Sequence, residues 1–242
     1  MLSGFLNAAK LSSAASGRPL TDHRILFLGA GSAGVGVGMQ LTSFFKLQGL
    51  SEEEARQRIW LVDSQGLIYD ARGKLAEHKK CMSSILLTNF LQLTSPADFS
   101  RKDYTGPPMT DLVDIIEYVK PTALLGLSTI KGAFNQAVIE TMSALNPRPI
   151  IFPLSNPVRL SECEFSEAVE WSGGRVIFAS GSPFPEQEYA GRTLYPGQGN
   201  NMYVFPGECS RSSCIVRDVE CLRRYWTRRD SVEGIDCHRQ YD

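Results

Sequence analysis

The sequence has no uninterrupted apolar run of about 18 residues, so nothing in it reads as a membrane-spanning helix. It has no excess of one charge either. Its 25 Lys+Arg stand against 26 Asp+Glu, a net charge of −1 that argues against a polybasic nucleic-acid binder. Histidine is scarce, and His23, His78 and His238 lie far apart with no metal-ligand spacing, so each reads as a surface residue. The six cysteines lack the short paired spacings of a secreted mini-protein, which favours a reducing compartment over a disulfide framework. Ser180-Gly181-Ser182 lacks the flanking glycines of a nucleophile elbow, and no Ser/His/Asp arrangement can be drawn.

What remains is an ordinary globular composition. With 43% hydrophobic and 21% charged residues, the 242 residues suffice for one large domain or two small ones. The first 20 residues hold Lys10 and Arg18, and no acid occurs before Asp22. Their weak apolar stripe reads as a short helix, GFLNAAKLS, leading into the first strand; an organellar presequence is the alternative.

From Arg24 onward, apolar runs alternate with helical patterns. RILFLGAG reads as a buried strand ending in glycines, followed by a helix through Val35, Met39, Leu41, Phe44, Phe45 and Leu47. Ser51 and Glu54 have the form of a capping box for a short helix before the strand IWLVD. Between Ser64 and Pro108 the pattern loosens, and SILLTNFLQL reads as a helix or a short strand among loops. Then come the helix TDLVDIIEYVK, stopped by Pro121, the strand TALLGLS, the helix GAFNQAVIETMSAL and the strand PIIFPLSNP. SECEFSEAVEW reads as a helix capped by Ser161 and Glu164, and RVIFAS as a last strand. Near-continuous apolar strands in a βαβαβ order predict an α/β fold, a doubly wound parallel sheet with helices on both faces.

The final 35 residues differ. From Glu208 there are seven arginines, no lysine, seven acids and no sustained period, so the tail at 208–242 is expected to be poorly ordered. Cys209, Cys214, Cys221, Cys237 and His238 are numerous enough for zinc, but their intervals match no paired CxxC form.

The strongest local motif is Gly29-Ala30-Gly31-Ser32-Ala33-Gly34, directly after a strand and opening a helix. Glycines there permit a tight turn, close approach of backbone amides to a pyrophosphate, and helix packing on the strand. Asp63 ends the next strand, where an acid would bind the adenosine ribose hydroxyls. It follows Gly29 by 34 residues because the SEEEARQR helix lengthens the usual gap of about 20. Ser64, Arg72 and Lys80 follow it, and a cation there would favour a 2′-phosphate; a solvated basic loop is the alternative. Asn156, in Ser155-Asn156-Pro157, lies past a strand on the carboxyl edge of the sheet, and Asn200 and Asn201 sit in a glycine-rich turn. A carboxamide suits a nicotinamide amide or a small hydroxy acid, although turn chemistry also explains such pairs.

GAGSAGVG, IWLVDSQGLI, PTALLGLS, RPIIFPLSNP, RVIFASGSPF and GRTLYPGQGNNMYVFPG together resemble, in order and spacing, the nicotinamide-binding domain of malic enzymes, from about Gly4 to Gly207. The resemblance implies a Rossmann-like fold and an NAD(P)-dependent oxidoreductase that converts malate to pyruvate and CO₂ with Mg²⁺ or Mn²⁺. It divides the chain into a lead-in at 1–21, a dinucleotide-binding domain at 22–207 and the atypical tail. Gly29, Ala30, Gly31 and Ser32 match the family's pyrophosphate loop, Asp63 its ribose acid and Leu127 a cofactor contact. Asn156 matches the residue near nicotinamide and substrate, and Asn200, with Asn201 beside it, the malate-contacting amide. Ser64 and Lys80 align with residues of NADP-preferring members, which leans the cofactor toward NADP over NAD.

In the family, the tyrosine acid, lysine base, malate-holding arginine and acidic metal ligands lie upstream of the matching segment, and ECSRSSCIVRD matches nothing expected after Gly207. The expectation is therefore a malic enzyme fragment, inactive alone, with a truncated or misassembled gene model behind both ends. A dinucleotide-binding module without turnover and a non-functional truncated product are the alternatives. Members are usually homo-oligomeric, and a cytoplasmic or mitochondrial location stays open.

Overall fold

The computed structural model describes residues 1–72 and 99–199. The segment SILLTNFLQL, the tail from Glu208, His78 and His238 lie outside the described residues. The elements run in the order α1 (Leu2–Ser16), β1 (Ile25–Leu28), α2 (Ser32–Leu47), α3 (Glu52–Gln57), β2 (Ile59–Asp63) and β3 (Gly66–Leu67). After these come α4 (Leu112–Val119), β4 (Ala123–Gly126), α5 (Gln136–Leu145), β5 (Ile150–Pro153), α6 (Phe165–Trp171) and β6 (Ile177–Ser180). Three short strands follow, β7 (Gln187–Tyr189), β8 (Arg192–Leu194) and β9 (Gly197–Gln198).

Seven strands form one sheet in the order β3-β2-β1-β4-β5-β6-β9. All neighbours are parallel except β3, which turns back antiparallel on β2. β1 lies between β2 and β4, with Leu28 level with Val62 on one side and Gly126 on the other. The chain moves from β1 outward to β2 and then crosses to β4 on the opposite flank. That reversal opens a crevice between the loops that follow β1 and β4, where open α/β sheets place their ligands.

Strands β1, β4 and β5 are apolar and buried along their length because both faces of the sheet are covered there. Ile25 and Phe27 pack into a cluster with Phe5, Leu41, Phe45 and Ala55, while Leu26 packs on the other face with Ile115, Ile116, Val138 and Phe165. Each such side chain contributes roughly 1.5–3 kcal/mol when fully buried. The doubly wound α/β reading of the sequence thus describes the observed architecture. Among the described residues, no helix is long and apolar enough to cross a membrane.

Several boundaries follow from caps. Ser51 and Glu54 form the expected capping box on α3, and Asp111 caps α4 by accepting from the amides of Val113 and Asp114. α1 is longer than GFLNAAKLS and stops at Gly17, whose φ of 70° is the left-handed turn glycine takes readily. α6 corrects the reading of SECEFSEAVEW. The helix begins at Phe165 behind Glu164, which forms the box with Glu167, while Ser161 donates instead to the carbonyl of Cys163. Residues 161–163 are buried, and their chain runs across the sheet edge before the helix can start.

His23 is a second correction. The expected surface residue is fully buried, with Nε2 2.9 Å from the Ser13 hydroxyl and Nδ1 2.8 Å from that of Thr122. The antiparallel pair β7 and β8 had no sequence signal, because its turn uses Ala190 (φ 51°) and Gly191 (φ 73°) in place of Asn-Gly.

Candidate functional site

The three glycines of the motif have three different environments. Gly29 (φ 120°) passes so close to the loop after β4 that a Cβ would stand 2.5 Å from the Leu127 carbonyl oxygen. A Cβ on Gly34, in the first turn of α2, would stand 2.3 Å from the Gly29 carbonyl oxygen. A side chain at either position would push strand, turn and helix apart. Gly31 differs, since a Cβ there would meet nothing within 4 Å. It caps α2 without a side chain, Ser32 begins the helix, and no acid occupies the first turn. The free space therefore lies where the helix amides and dipole favour an anion. Ala30 is buried beside it.

Asp63 closes β2 one strand away, and its neighbour Val62 accepts the Gly29 amide at 2.8 Å. Its Oδ1 accepts from the Gln65 amide at 2.8 Å, and Arg72 grips both carboxylate oxygens. The same guanidinium donates to the carbonyls of Gly66 and Leu67, each at 3.1 Å. Arg72 is therefore committed to holding Asp63 and the β2–β3 turn. Ser64 is exposed in that turn.

On the other side of the crevice, Leu127 is half-buried, and its amide donates to the Leu28 carbonyl at 2.8 Å. Asn156 is exposed at the end of the next strand, before a cis peptide bond to Pro157. The Ser182 hydroxyl donates to its Oδ1, and a Cβ on Gly181 would stand 2.8 Å from its Nδ2. The structure thus brings Gly29, Gly31, Gly34 and Leu127 to one crevice, with Asp63 on its β2 side and Asn156 on its β5 side. Lys80, Asn200 and Asn201 lie outside the described residues.

Glu162 and its serine partners, Ser128 and Ser155, escaped the sequence reading. The carboxylate is fully buried at the carboxyl edge of β4 and β5, and reading Ser161 as a helix cap concealed it. Cys163 beside it is buried, which pushes its thiol well above the ordinary range, reinforced by the carboxylates of Glu167, Glu162 and Glu164, and disfavours the thiolate. Among the described residues, no three His, Cys, Asp or Glu side chains group to hold a metal ion.

A doubly wound sheet whose first turn carries a glycine loop into a helix N-terminus, with an acid ending the next strand, defines a Rossmann-like dinucleotide-binding domain. The family described as "Malic enzyme, NAD binding domain" matches residues 1–210. The chain belongs to that family. It is 46% identical over 221 residues to the NADP-dependent malic enzyme of Dictyostelium discoideum, covering 90% of this chain and 37% of that protein. To NAD-dependent malic enzyme 3 of Bacillus subtilis it is 40% identical over 201 residues, covering 83% of this chain and 34% of that protein. The chain thus spans little more than a third of these relatives. A crystal structure of NAD-dependent malic enzyme from Thermotoga maritima shares the fold, with a TM-score of 0.53 and 21% identity over 85% of this chain and 41% of that one.

Proposed function

We propose that this chain takes up NAD or NADP, with NADP preferred, across the crevice between the Gly29 and Leu127 loops, and orients it toward malate for conversion to pyruvate and CO₂. The open space at Gly31, between two glycines that packing makes obligatory, carries this reading. The pyrophosphate lies against the start of α2, and Asp63, steadied by Arg72, accepts from the adenosine ribose. The bound nicotinamide supplies a hydride acceptor. Asn156 then addresses nicotinamide and substrate, with its Oδ1 occupied by Ser182 and its Nδ2 able to donate. Asn200 and Asn201 bind malate, and Ser64 and Lys80 favour the 2′-phosphate. These four roles rest on the malic enzyme resemblance.

The described residues do not fit the divalent cation of the family, since no three of their His, Cys, Asp or Glu side chains group together. The resemblance also places no residue of this chain at the family's proton-transferring tyrosine and lysine. Since general acid–base groups each contribute about 10²–10⁴ in rate, these 242 residues by themselves turn malate over slowly or not at all. The test is nucleotide titration beside a malate and Mn²⁺ turnover assay. Binding of both nucleotides with turnover far below that of an intact malic enzyme is expected. Turnover at ordinary malic enzyme rates would contradict the division of labour, and absence of nucleotide binding would contradict the site.

A further inference from the structure

Glu162 holds a fully buried carboxylate with no cationic partner among the described residues. An ion taken out of water costs several kcal/mol unless hydrogen bonds replace its solvation, so its donors define what it does. Oε1 accepts from the Ser128 amide at 2.9 Å, the Ser128 hydroxyl at 3.0 Å and the Ser155 hydroxyl at 2.5 Å. Oε2 faces the Ser155 amide at 3.4 Å. Gly126 makes room for this group, since a Cβ there would stand 2.4 Å from the Glu162 Cδ.

The contacts extend further into both loops. The Ser155 hydroxyl accepts from the Thr129 amide at 2.9 Å, and the Ser128 hydroxyl from the Ile130 amide at 3.2 Å. Thr129 stands at φ 60°, a left-handed conformation that a β-branched residue keeps only when its surroundings fix it. The backbone of the same segment adds Phe134 N–H to the Glu162 carbonyl at 2.9 Å. One carboxylate therefore ties the loop after β4, which carries Leu127, to the turn after β5, which carries Asn156.

We propose that Glu162 is a positioning residue for the nicotinamide half of the bound dinucleotide. It fixes the separation of the Leu127–Thr129 loop from the Ser155–Asn156 turn and so aims the Asn156 amide. The proposal rests on the dinucleotide reading above. In that reading the adenosine half lies against the β1–β2 side, at the glycine loop and Asp63, to which Glu162 makes no hydrogen bond. The nicotinamide half lies on the β4–β5 side.

The test is calorimetric titration of the full chain with NADP and with 2′-phospho-ADP-ribose, which lacks only the nicotinamide. Glu162→Gln keeps the volume but replaces one acceptor oxygen with a donor. NADP affinity is expected to fall about tenfold, the loss typical of a hydrogen bond to a charged group, and affinity for the fragment less than about twofold. Ser155→Ala, which removes the bridge to Thr129 and leaves Glu162 in place, is expected to show the same selective loss, and it decides the matter if Glu162→Gln fails to fold. Equal weakening of both ligands, or no weakening of either, would overturn the positioning role. A wild-type chain that binds neither would overturn the dinucleotide reading, and the role of Glu162 with it.

Discussion

Arg72 meets Asp63 edge to edge, with Nη1 2.9 Å from Oδ1 and Nη2 2.7 Å from Oδ2, and the two side chains are only 10% and 6% exposed. A planar guanidinium matched to a carboxylate in this way fixes its orientation as well as its charge. The acid proposed to receive the ribose is therefore set before any ligand arrives, which lowers the ordering cost of binding. Removing one partner of a buried pair leaves the other unpaired, typically at about 3–5 kcal/mol. Arg72→Gln is expected to lower unfolding stability in urea by about 2–4 kcal/mol and to weaken both nucleotides, whereas Arg72→Lys keeps the charge and recovers only part of the loss. Unchanged stability in Arg72→Gln would show that the pair holds nothing.

The glycines of α2 separate packing from helix propensity. Gly34→Ala would force its methyl against the Gly29 carbonyl and is expected to cost about 1–3 kcal/mol and at least tenfold in nucleotide affinity. Gly36 lies in the same helix with nothing within 4 Å of a Cβ, so Gly36→Ala is expected to gain about 0.5–1 kcal/mol and leave nucleotide binding as it was. Thermal melts of the two variants check this, and a matching loss in both would refute the steric argument.

The proposed preference for NADP rests on Lys80. If its ammonium meets the 2′-phosphate, Lys80→Gln lowers the ratio of NADP to NAD affinity by about tenfold, as loss of one charge-assisted hydrogen bond should. Paired titrations with the two nucleotides measure that ratio, and an unchanged value removes the NADP preference from this residue.

His23 gives a pH dependence with a defined sign. Burial, with the nearby Arg18 charge, holds its pKa down at about 4 against an ordinary 6.5. The unfolded chain therefore takes up a proton near 6.5 that the folded chain refuses until about pH 4, so stability falls as pH drops through that window and is unaffected by this group above it. Each tenfold difference in proton affinity between the two states is worth about 1.4 kcal/mol, which makes the full loss on the order of 3 kcal/mol. Urea unfolding at pH 7.5 and 4.5 should show a steeper decline for the native chain than for His23→Gln. Parallel declines would count against it.

The inner strands were legible in the sequence because helices cover both faces of the sheet and each is a nearly continuous apolar run, as in Ile25–Leu28 and Ala123–Gly126. The glycine loop was legible because its spacing reports backbone contacts, Gly29 on Leu127 and Gly34 on Gly29, that tolerate no side chain. Glu162 was not. A single acid between Leu160 and Cys163 has the same local signature whether it caps a helix or reaches across the sheet edge, and only the tertiary placement of Ser128 and Ser155 distinguishes the two. His23 failed for a related reason, since its partners Ser13 and Thr122 come from a helix and a strand entry remote from each other in sequence. Spacing leaves Arg72 either a cation for a 2′-phosphate or part of a solvated basic loop, and its pairing with Asp63, which is neither, depends on the two-residue turn into β3.

In the proposed complex the pyrophosphate of the dinucleotide lies in the open space at Gly31. That glycine has φ −78°, a conformation any residue adopts, so Gly31→Asp adds a carboxylate to the space without straining the backbone. Calorimetric titration with NADP, beside thermal melts of both proteins, measures the consequence. Saturable uptake of one NADP per native chain is expected, with loss of that uptake in a Gly31→Asp chain that still melts cooperatively. No saturable uptake by the native chain, or equal uptake by the two, would contradict it.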